Sequence, residues 1–168
     1  MKKIFNILLV FVLVLFLTGC GNQKSQKPQM VFNTKYSKIN DYLNEMVSEC
    51  DLEDETFSVA KESVTQGVIY VPVSHAASKS LFMFEFDTNE EFKEIVVSYG
   101  INYKNVNPII DKMLKYSKFE LSSDEIDEIN NIINGSNNKK ANNEKRIGKY
   151  KISNLVNHSF IMEVISEN

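Results

Sequence analysis

Tryptophan is absent from this sequence, and cysteine, histidine and proline are scarce, with two, two and three residues among 168. Two cysteines cannot build the disulfide framework of a small secreted scaffold, so a folded domain must be held together by its apolar core. The histidines, His75 and His158, show no metal-ligand spacing with each other or with Cys50, so we predict no zinc site. The lack of tryptophan disfavours an aromatic sugar-binding platform, although tyrosines could build one.

Motifs that carry catalysis or cofactor binding are also missing. No serine has the flanking glycines of a nucleophile elbow, and no glycine-rich loop that would cradle a phosphate is present. Asp51, Glu53 and Glu55 alternate as calcium ligands do, but the run has no loop glycine and no terminal bidentate glutamate. A net charge of −3 argues against nucleic-acid binding. We therefore predict no catalytic, cofactor-binding or metal-binding residues, and no cofactor.

The N-terminal segment differs in composition from the rest of the chain. Two lysines follow Met1, residues 4–17 are almost wholly apolar, and small residues precede Cys20. This order is typical of a secretory signal, and the apolar stretch is shorter than the about 20 residues that a membrane-spanning helix needs. The run Leu17-Thr18-Gly19-Cys20 resembles the lipobox of bacterial lipoproteins, in which small residues separate a leucine from an obligatory cysteine.

The resemblance to bacterial lipoproteins implies a lipid anchor. In that family a diacylglyceryl group is attached to the cysteine thiol and a peptidase cuts before it. Residues 1–19 would then be a signal peptide and Cys20 the lipid attachment site. Two acyl chains hold a protein stably on a membrane, so the expected localisation is the extracytoplasmic face of the cell membrane. With Cys20 lipidated, Cys50 has no disulfide partner within the chain.

Composition divides the remaining chain into a tether and a domain. Residues 20–35 are largely polar without a hydrophobic period, which predicts a flexible, lipidated tether. Residues 36–168 suit a single domain. Apolar residues at spacings of three and four predict an amphipathic helix from Tyr36 to Cys50. We expect Ser37 to be its N-cap and Cys50 to be a buried thiol at the end of its apolar face.

Alternating apolar residues predict a β-meander over residues 56–103, in which Pro72 marks an edge position or a bulge. Residues 92–103 also fit a helix, but their β-branched side chains favour a strand. Two helices should follow the meander. Asn107-Pro108 should open the first, with proline at the first helical position, and a capping box at residues 122–125 should open the second.

Two strands, Arg146–Ser153 and Ser159–Ser166, are predicted to close the chain as a C-terminal hairpin. The order of these elements predicts an α+β fold. Its sheet should be mostly antiparallel, built from the meander and the hairpin, and packed with about three helices.

Charge is distributed unevenly along the predicted domain. Residues 41–55 contain seven acidic side chains and no lysine or arginine, whereas residues 139–151 contain six basic side chains and one acidic one. Lys149 and Lys151 would share a face if both lie on one strand. With Lys145 and Arg146 they would form a basic patch for contact with anionic lipid headgroups or an anionic wall polymer. The alternative is a solvated edge that lysines protect from aggregation.

A non-enzymatic binding or interaction module of the cell envelope is the function that these features favour. Its partners would be the membrane, through the lipid on Cys20, and another envelope protein, an anionic surface, a wall polymer or a small ligand. The alternative is a small envelope hydrolase that uses His75 or His158, since a Ser-His-Asp triad requires proximity only in space. A further alternative is an interference or immunity lipoprotein that blocks a phage or a toxin.

Overall fold

The computed structural model describes residues 32–98, 103–135, 143–155 and 159–165. These residues form three α-helices, a short 3-10 helix and one antiparallel sheet. The helices are α1 (Ser37–Glu49), α2 (Tyr103–Leu114) and α3 (Ser123–Gly135), and the 3-10 helix is Ser117–Phe119. The strands are β1 (Phe57–Val59), β2 (Ser63–Thr65), β3 (Val68–His75), β4 (Ser80–Asp87), β5 (Phe92–Ser98), β6 (Asn143–Ile147), β7 (Tyr150–Leu155) and β8 (Ser159–Val164). The predicted α+β class with a mostly antiparallel sheet is confirmed.

The eight strands belong to a single sheet. Their order is β1-β3-β4-β5-β8-β7-β6, and β2 pairs with β3 beside β1. The predicted meander therefore forms one half of the sheet. The C-terminal strands form the other half, because β8 pairs antiparallel with β5.

The helices cover one face of this sheet. Because strand residues alternate between faces, one row of paired residues from β3 to β7 points at the helices: Val71, Phe84, Ile95, Met162 and Ile152. These side chains are buried in one cluster with the apolar stripes of the helices. Full burial of each such side chain stabilises the fold by roughly 1.5–3 kcal/mol.

The packed domain begins earlier than residue 36, the boundary that composition indicated. Phe32 belongs to the core with 2% of its surface exposed, and its N–H donates to Oδ1 of Asn44 at 3.2 Å. Residues 32–35 are therefore part of the domain and not of the tether. Ser37 is not the N-cap of α1, because it is already helical and Tyr36 takes the cap position without a side-chain bond.

The segment that fits both a strand and a helix contains both. Strand β5 ends at Ser98 and α2 already includes Tyr103, so the predicted strand to residue 103 was too long. Helix α2 was predicted to begin at Asn107-Pro108, but Pro108 lies inside it. Val106, which is fully buried, extends the apolar stripe ahead of the proline, and this burial favours the additional helical residues.

The predicted strand Arg146–Ser153 is two strands. Gly148 has a φ of +53° and forms a two-residue turn with Lys149, so Ile147 pairs with Tyr150. Glycine adopts such a backbone conformation without steric cost. The C-terminal half of the sheet is therefore a hairpin of β6 and β7 followed by β8, which ends at Val164 and not at Ser166.

The predicted capping box is confirmed, whereas Pro72 lies on a strand that is paired on both sides and not on an edge strand. The carboxylate of Glu125 accepts hydrogen bonds from the N–H and the hydroxyl of Ser122, and the N–H of Glu125 donates to that hydroxyl oxygen, which is the predicted capping box. Pro72 lies in β3 opposite the interruption between β1 and β2, where its carbonyl accepts from the N–H of Ala60. Proline has no N–H to donate, and Pro72 lies opposite the gap between β1 and β2, where pairing along this side of β3 is interrupted.

Candidate functional site

His75 lies at the end of β3 inside a side-chain hydrogen-bond network. Its Nε2 is 3.1 Å from Oε2 of Glu55, and its Nδ1 is 2.7 Å from Oγ of Ser78. The backbone N–H of Ser78 also donates to Nδ1. Nδ1 is therefore the acceptor, and the proton on Nε2 is donated to the carboxylate. The hydroxyl of Ser78 also contacts that of Ser80.

This arrangement of a carboxylate, a histidine and a serine has the composition of a hydrolase triad. Its accessibility is wrong for one, because the exposed fractions of His75, Ser78 and Ser80 are 2%, 0% and 2%. A nucleophile must reach its substrate, and these hydroxyls are enclosed by the hairpin between β3 and β4. The network therefore stabilises the hairpin between β3 and β4. His75 is therefore a buried strand residue, while His158 lies outside the described residues.

The four basic residues of the predicted patch do not share a strand face. Lys149 lies in the turn after β6 and Lys151 lies on β7, so the premise that they alternate along one strand was wrong. Lys145 pairs with Glu128, Lys149 with Glu120, and Lys151 with Glu144. Arg146 donates from Nε to the carbonyl of Gly148. Three of the four positive charges are thus balanced locally, and contact with an anionic surface stays a prediction.

Cys50 follows α1 and is a free, buried thiol, as predicted. Its Sγ lies 3.9 Å from the carbonyl oxygen of Met113. Burial and the nearby charge of Glu49 raise the pKa of the thiol to about 11, so it is protonated near neutral pH. Such a thiol is a poor nucleophile.

A groove of about 480 Å³ lies on the helix side of the sheet and is here called the aromatic groove. It lies between the start of α1, the turn after β4 and the turn after β6. Its lining consists of Lys38, Asp41, Tyr42, Glu90, Glu91, Phe92, Lys118, Lys149, Tyr150 and Val164. The volume falls within the range of small-ligand sites, about 300–1,000 Å³.

Aromatic rings form the floor of the groove. Tyr42 stacks on Phe92 with ring centroids 5.8 Å apart and an interplanar angle of 11°. The Phe119 ring lies beneath the floor and contacts the rings of Phe92 and Tyr150, at centroid distances of 5.4 and 6.1 Å respectively. Tyr116 crosses Tyr42 edge to face at 5.1 Å. Contacts among these rings hold the floor in a fixed shape before any ligand arrives.

Charged side chains of both signs form the rim of the groove. Lys118 lies over the Tyr42 ring at 5.6 Å, and Lys149 lies over the Tyr150 ring at 5.7 Å. Outside the groove these lysines pair with Glu45 and Glu120, and each lysine holds the pKa of its carboxyl partner below the usual range. The lining itself contains the carboxyl groups of Asp41, Glu90 and Glu91, so the rim offers ammonium donors and carboxylate acceptors together.

The start of α1 is tied to the rim. Oε2 of Glu90, in the turn after β4, accepts a hydrogen bond from the N–H of Ile39 at 3.1 Å, which satisfies one of the unpaired donors of the helix. Lys38 donates to the carbonyl of Asn89. The Asp87 carboxylate in turn accepts the N–H groups of Asn89 and Glu91 and so fixes the turn.

No local pattern in the sequence predicts this groove. Its lining residues come from five separate segments of the chain, so no spacing motif links them. Tyr42 lies within the predicted helix from Tyr36 to Cys50, and Tyr150 lies within the predicted strand Arg146–Ser153. The one sequence clue was the number of tyrosines, seven, in a chain without tryptophan.

Comparison with known proteins finds no family model, no curated protein and no solved structure that matches this chain. Within the described ranges, no group of three or more His, Cys, Asp or Glu side chains is placed to hold a metal ion. No helix in that part of the chain combines the length and the apolar character of a membrane span.

Proposed function

We propose that this protein is an extracytoplasmic lipoprotein, anchored through Cys20, that binds a saccharide-containing polymer of the cell envelope in the aromatic groove. The resemblance of residues 17–20 to a lipobox supports the anchor. The preformed groove supports the binding role, and it is the observation that carries the proposal.

The chemistry of the groove favours a polyhydroxylated ligand. Tyr42 and Phe92, which are half-buried, can stack against the apolar C–H face of a sugar ring, while the buried Tyr150 supports the floor. Each sugar hydroxyl both donates and accepts hydrogen bonds, and the rim supplies both partners. The three lysines and three acidic residues of the lining balance in charge, so a strongly anionic or cationic ligand gains little there.

The position of the His75 network, which has the composition of a catalytic triad, is also compatible with a binding role for the groove. The hydroxyls beside His75 are enclosed, and they lie outside the aromatic groove. A ligand in the groove therefore meets aromatic rings and charged groups without an activated nucleophile.

The groove is tested with short oligomers of N-acetylglucosamine and the chain from residue 24 onward, which keeps the core from Phe32. Isothermal titration calorimetry measures the binding, because tyrosine fluorescence would average over all seven tyrosines and Tyr42→Ala would remove one reporter. Tyr42→Ala should weaken binding about tenfold, equivalent to roughly 1.4 kcal/mol. Tyr70→Ala is the matched control, since Tyr70 is also half-buried but lies on the opposite face of the sheet.

Saturable binding that Tyr42→Ala weakens and Tyr70→Ala leaves unchanged supports the proposal. Equal effects of the two substitutions, or no binding of these oligomers or of solubilised wall fragments, would refute a saccharide site. The anchor is tested separately by labelled palmitate in cells. Wild-type protein should take up label and Cys20→Ser should not, whereas equal labelling would exclude lipidation at Cys20.

A further inference from the structure

The face of the sheet that points away from the helices, here called the open face, carries an ordered row of charges. Across five adjacent strands the directly paired residues are Glu85 on β4, Glu94 on β5, Glu163 on β8, Lys151 on β7 and Arg146 on β6. Three acidic side chains are thus followed by two basic ones. We call this the charged row.

An apolar row runs beside the charged row. Its paired members are Pro72, Met83, Val96 and Ile161, and each is half-buried by its neighbours on the sheet. Leu81, on the same face, has 40% of its surface exposed. The open face is therefore more apolar than a face that only meets water, where polar residues usually alternate with the core residues.

The acidic side chains of the charged row repel one another. Burial raises the pKa of Glu94 to about 7, with further contributions from Glu85 and Glu163 and an opposing one from Lys151. Burial and Glu163 also raise the pKa of Glu85. Like charges directly opposite each other on neighbouring strands destabilise a sheet, so cations brought from outside would relieve this repulsion.

We propose that the open face binds a second copy of this chain, face to face, so that Glu94 and Glu163 of each copy lie opposite Arg146 and Lys151 of the other. A two-fold axis parallel to the strands, between β7 and β8, reverses the strand order while keeping the two strand directions aligned. Aligned packing is the usual geometry of stacked sheets. Under this axis β8 faces β7 of the second copy, and β5 faces its β6.

Charge complementarity favours a second copy over an unrelated basic partner. A row with acidic and basic ends is complementary to itself when reversed, as an isologous two-fold interface requires. Lys151 now pairs with Glu144 at 3.2 Å, but both side chains are more than 40% exposed. An exposed pair of this kind contributes little stability, so Lys151 can exchange its partner. If the chain is lipid-anchored as proposed above, confinement to one membrane raises the effective concentration of copies.

The test uses two differently tagged full-length copies produced in the same cells, and co-purification of one tag with the other is measured. An acid-to-base variant carries Glu94→Lys and Glu163→Lys, and a base-to-acid variant carries Arg146→Glu and Lys151→Glu. Either variant should co-purify with itself at least tenfold less than wild type does. The acid-to-base copy paired with the base-to-acid copy should recover the wild-type level.

Lys104→Glu, an exposed position on α2, is the matched control and should change nothing. Thermal unfolding of each purified variant shows whether it folds, and recovery in the mixed pair requires that both do. Three outcomes would overturn the proposal: wild-type copies that do not co-purify, self-association that both charge variants leave intact, or a mixed pair of folded variants that fails to recover. These outcomes leave the saccharide titration untouched, so the two proposals can fail separately.

Discussion

His75 and Glu55 form a hydrogen bond of 3.1 Å between Nε2 and Oε2, and this bond joins the segment before β1 to the end of β3. The Phe57 ring packs on the imidazole at a centroid distance of 5.1 Å. On the other side of the ring, Ser78 and Ser80 complete the network within the hairpin. The network thus holds three parts of the chain at one corner of the sheet.

Replacing Ser78 by alanine should destabilise the protein. The substitution removes a buried hydroxyl that links His75 to Ser80, and a buried polar group left without its partner costs about 1–3 kcal/mol. Urea denaturation measures the loss. Ser74→Ala is the control, because Ser74 is exposed on the same hairpin, and exposed substitutions usually stay within about 0.5 kcal/mol. Labelling of Ser78 by a fluorophosphonate in the folded protein would instead show an accessible nucleophile and support a hydrolase.

The N-terminal boundary of the domain gives a second prediction. Phe32→Ala should lower the free energy of unfolding by about 3–5 kcal/mol, because it removes a buried aromatic side chain and leaves a cavity beside Met46 and Leu52. Val64→Ala is the control, since half of the Val64 surface is exposed. An unfolding free energy unchanged by Phe32→Ala would place the start of the packed domain after residue 32, as composition alone suggested.

Much of this fold follows from local patterns. The stripes of α1 and α3, the capping box at Ser122 and the alternation in β3 to β5 are each encoded within a few neighbouring residues. Phe32 was missed because Met30-Val31-Phe32 is a short apolar group after a polar run, with no helical or strand period, and only contacts with distant residues bury Phe32. Gly148 was missed because the flanking residues continue to suit a strand on both sides of the turn.

The candidate site was beyond prediction for a related reason. The aromatic groove brings together Tyr42, Phe92 and Tyr150 through strand pairings that join opposite ends of the chain. The charged row depends on register as well, since a shift of one residue would move Glu94 to the core face. Register between β5 and β8 is fixed by tertiary packing, and no local pattern in the sequence specifies it.

Cys50 should react slowly with thiol reagents in the folded protein. Only the thiolate is reactive, and the pKa of about 11, against an ordinary value of 9.0, reduces the thiolate fraction near pH 8 about a hundredfold. Reaction with iodoacetamide near pH 8 should therefore be at least about a hundredfold faster when the protein is unfolded in urea. Within the folded state it should keep rising with pH until about 11. Rapid labelling of the native protein at pH 8 would contradict the burial of this thiol.

The ion pairs around the four basic residues give the last prediction. Glu120, Glu128 and Glu144 each pair with a lysine of the predicted patch, so the local charge is close to neutral. Changing these three glutamates to glutamine should release the lysines and strengthen binding to anionic vesicles.

Each basic residue near a charged membrane contributes about 1 kcal/mol, and salt should screen the gain. The measurement is co-sedimentation of the chain from residue 24 onward with vesicles of phosphatidylglycerol or of phosphatidylcholine. Glu53, Asp54 and Glu62 changed to glutamine or asparagine provide a control with the same change in net charge, at sites away from the patch.

If the control binds anionic vesicles as strongly as the patch variant, net charge alone accounts for the effect. If only the patch variant binds, the lysines released from their glutamate partners, Lys145, Lys149 and Lys151, contact anionic headgroups. In that case the same four residues changed to glutamine in the patch variant should abolish the gain.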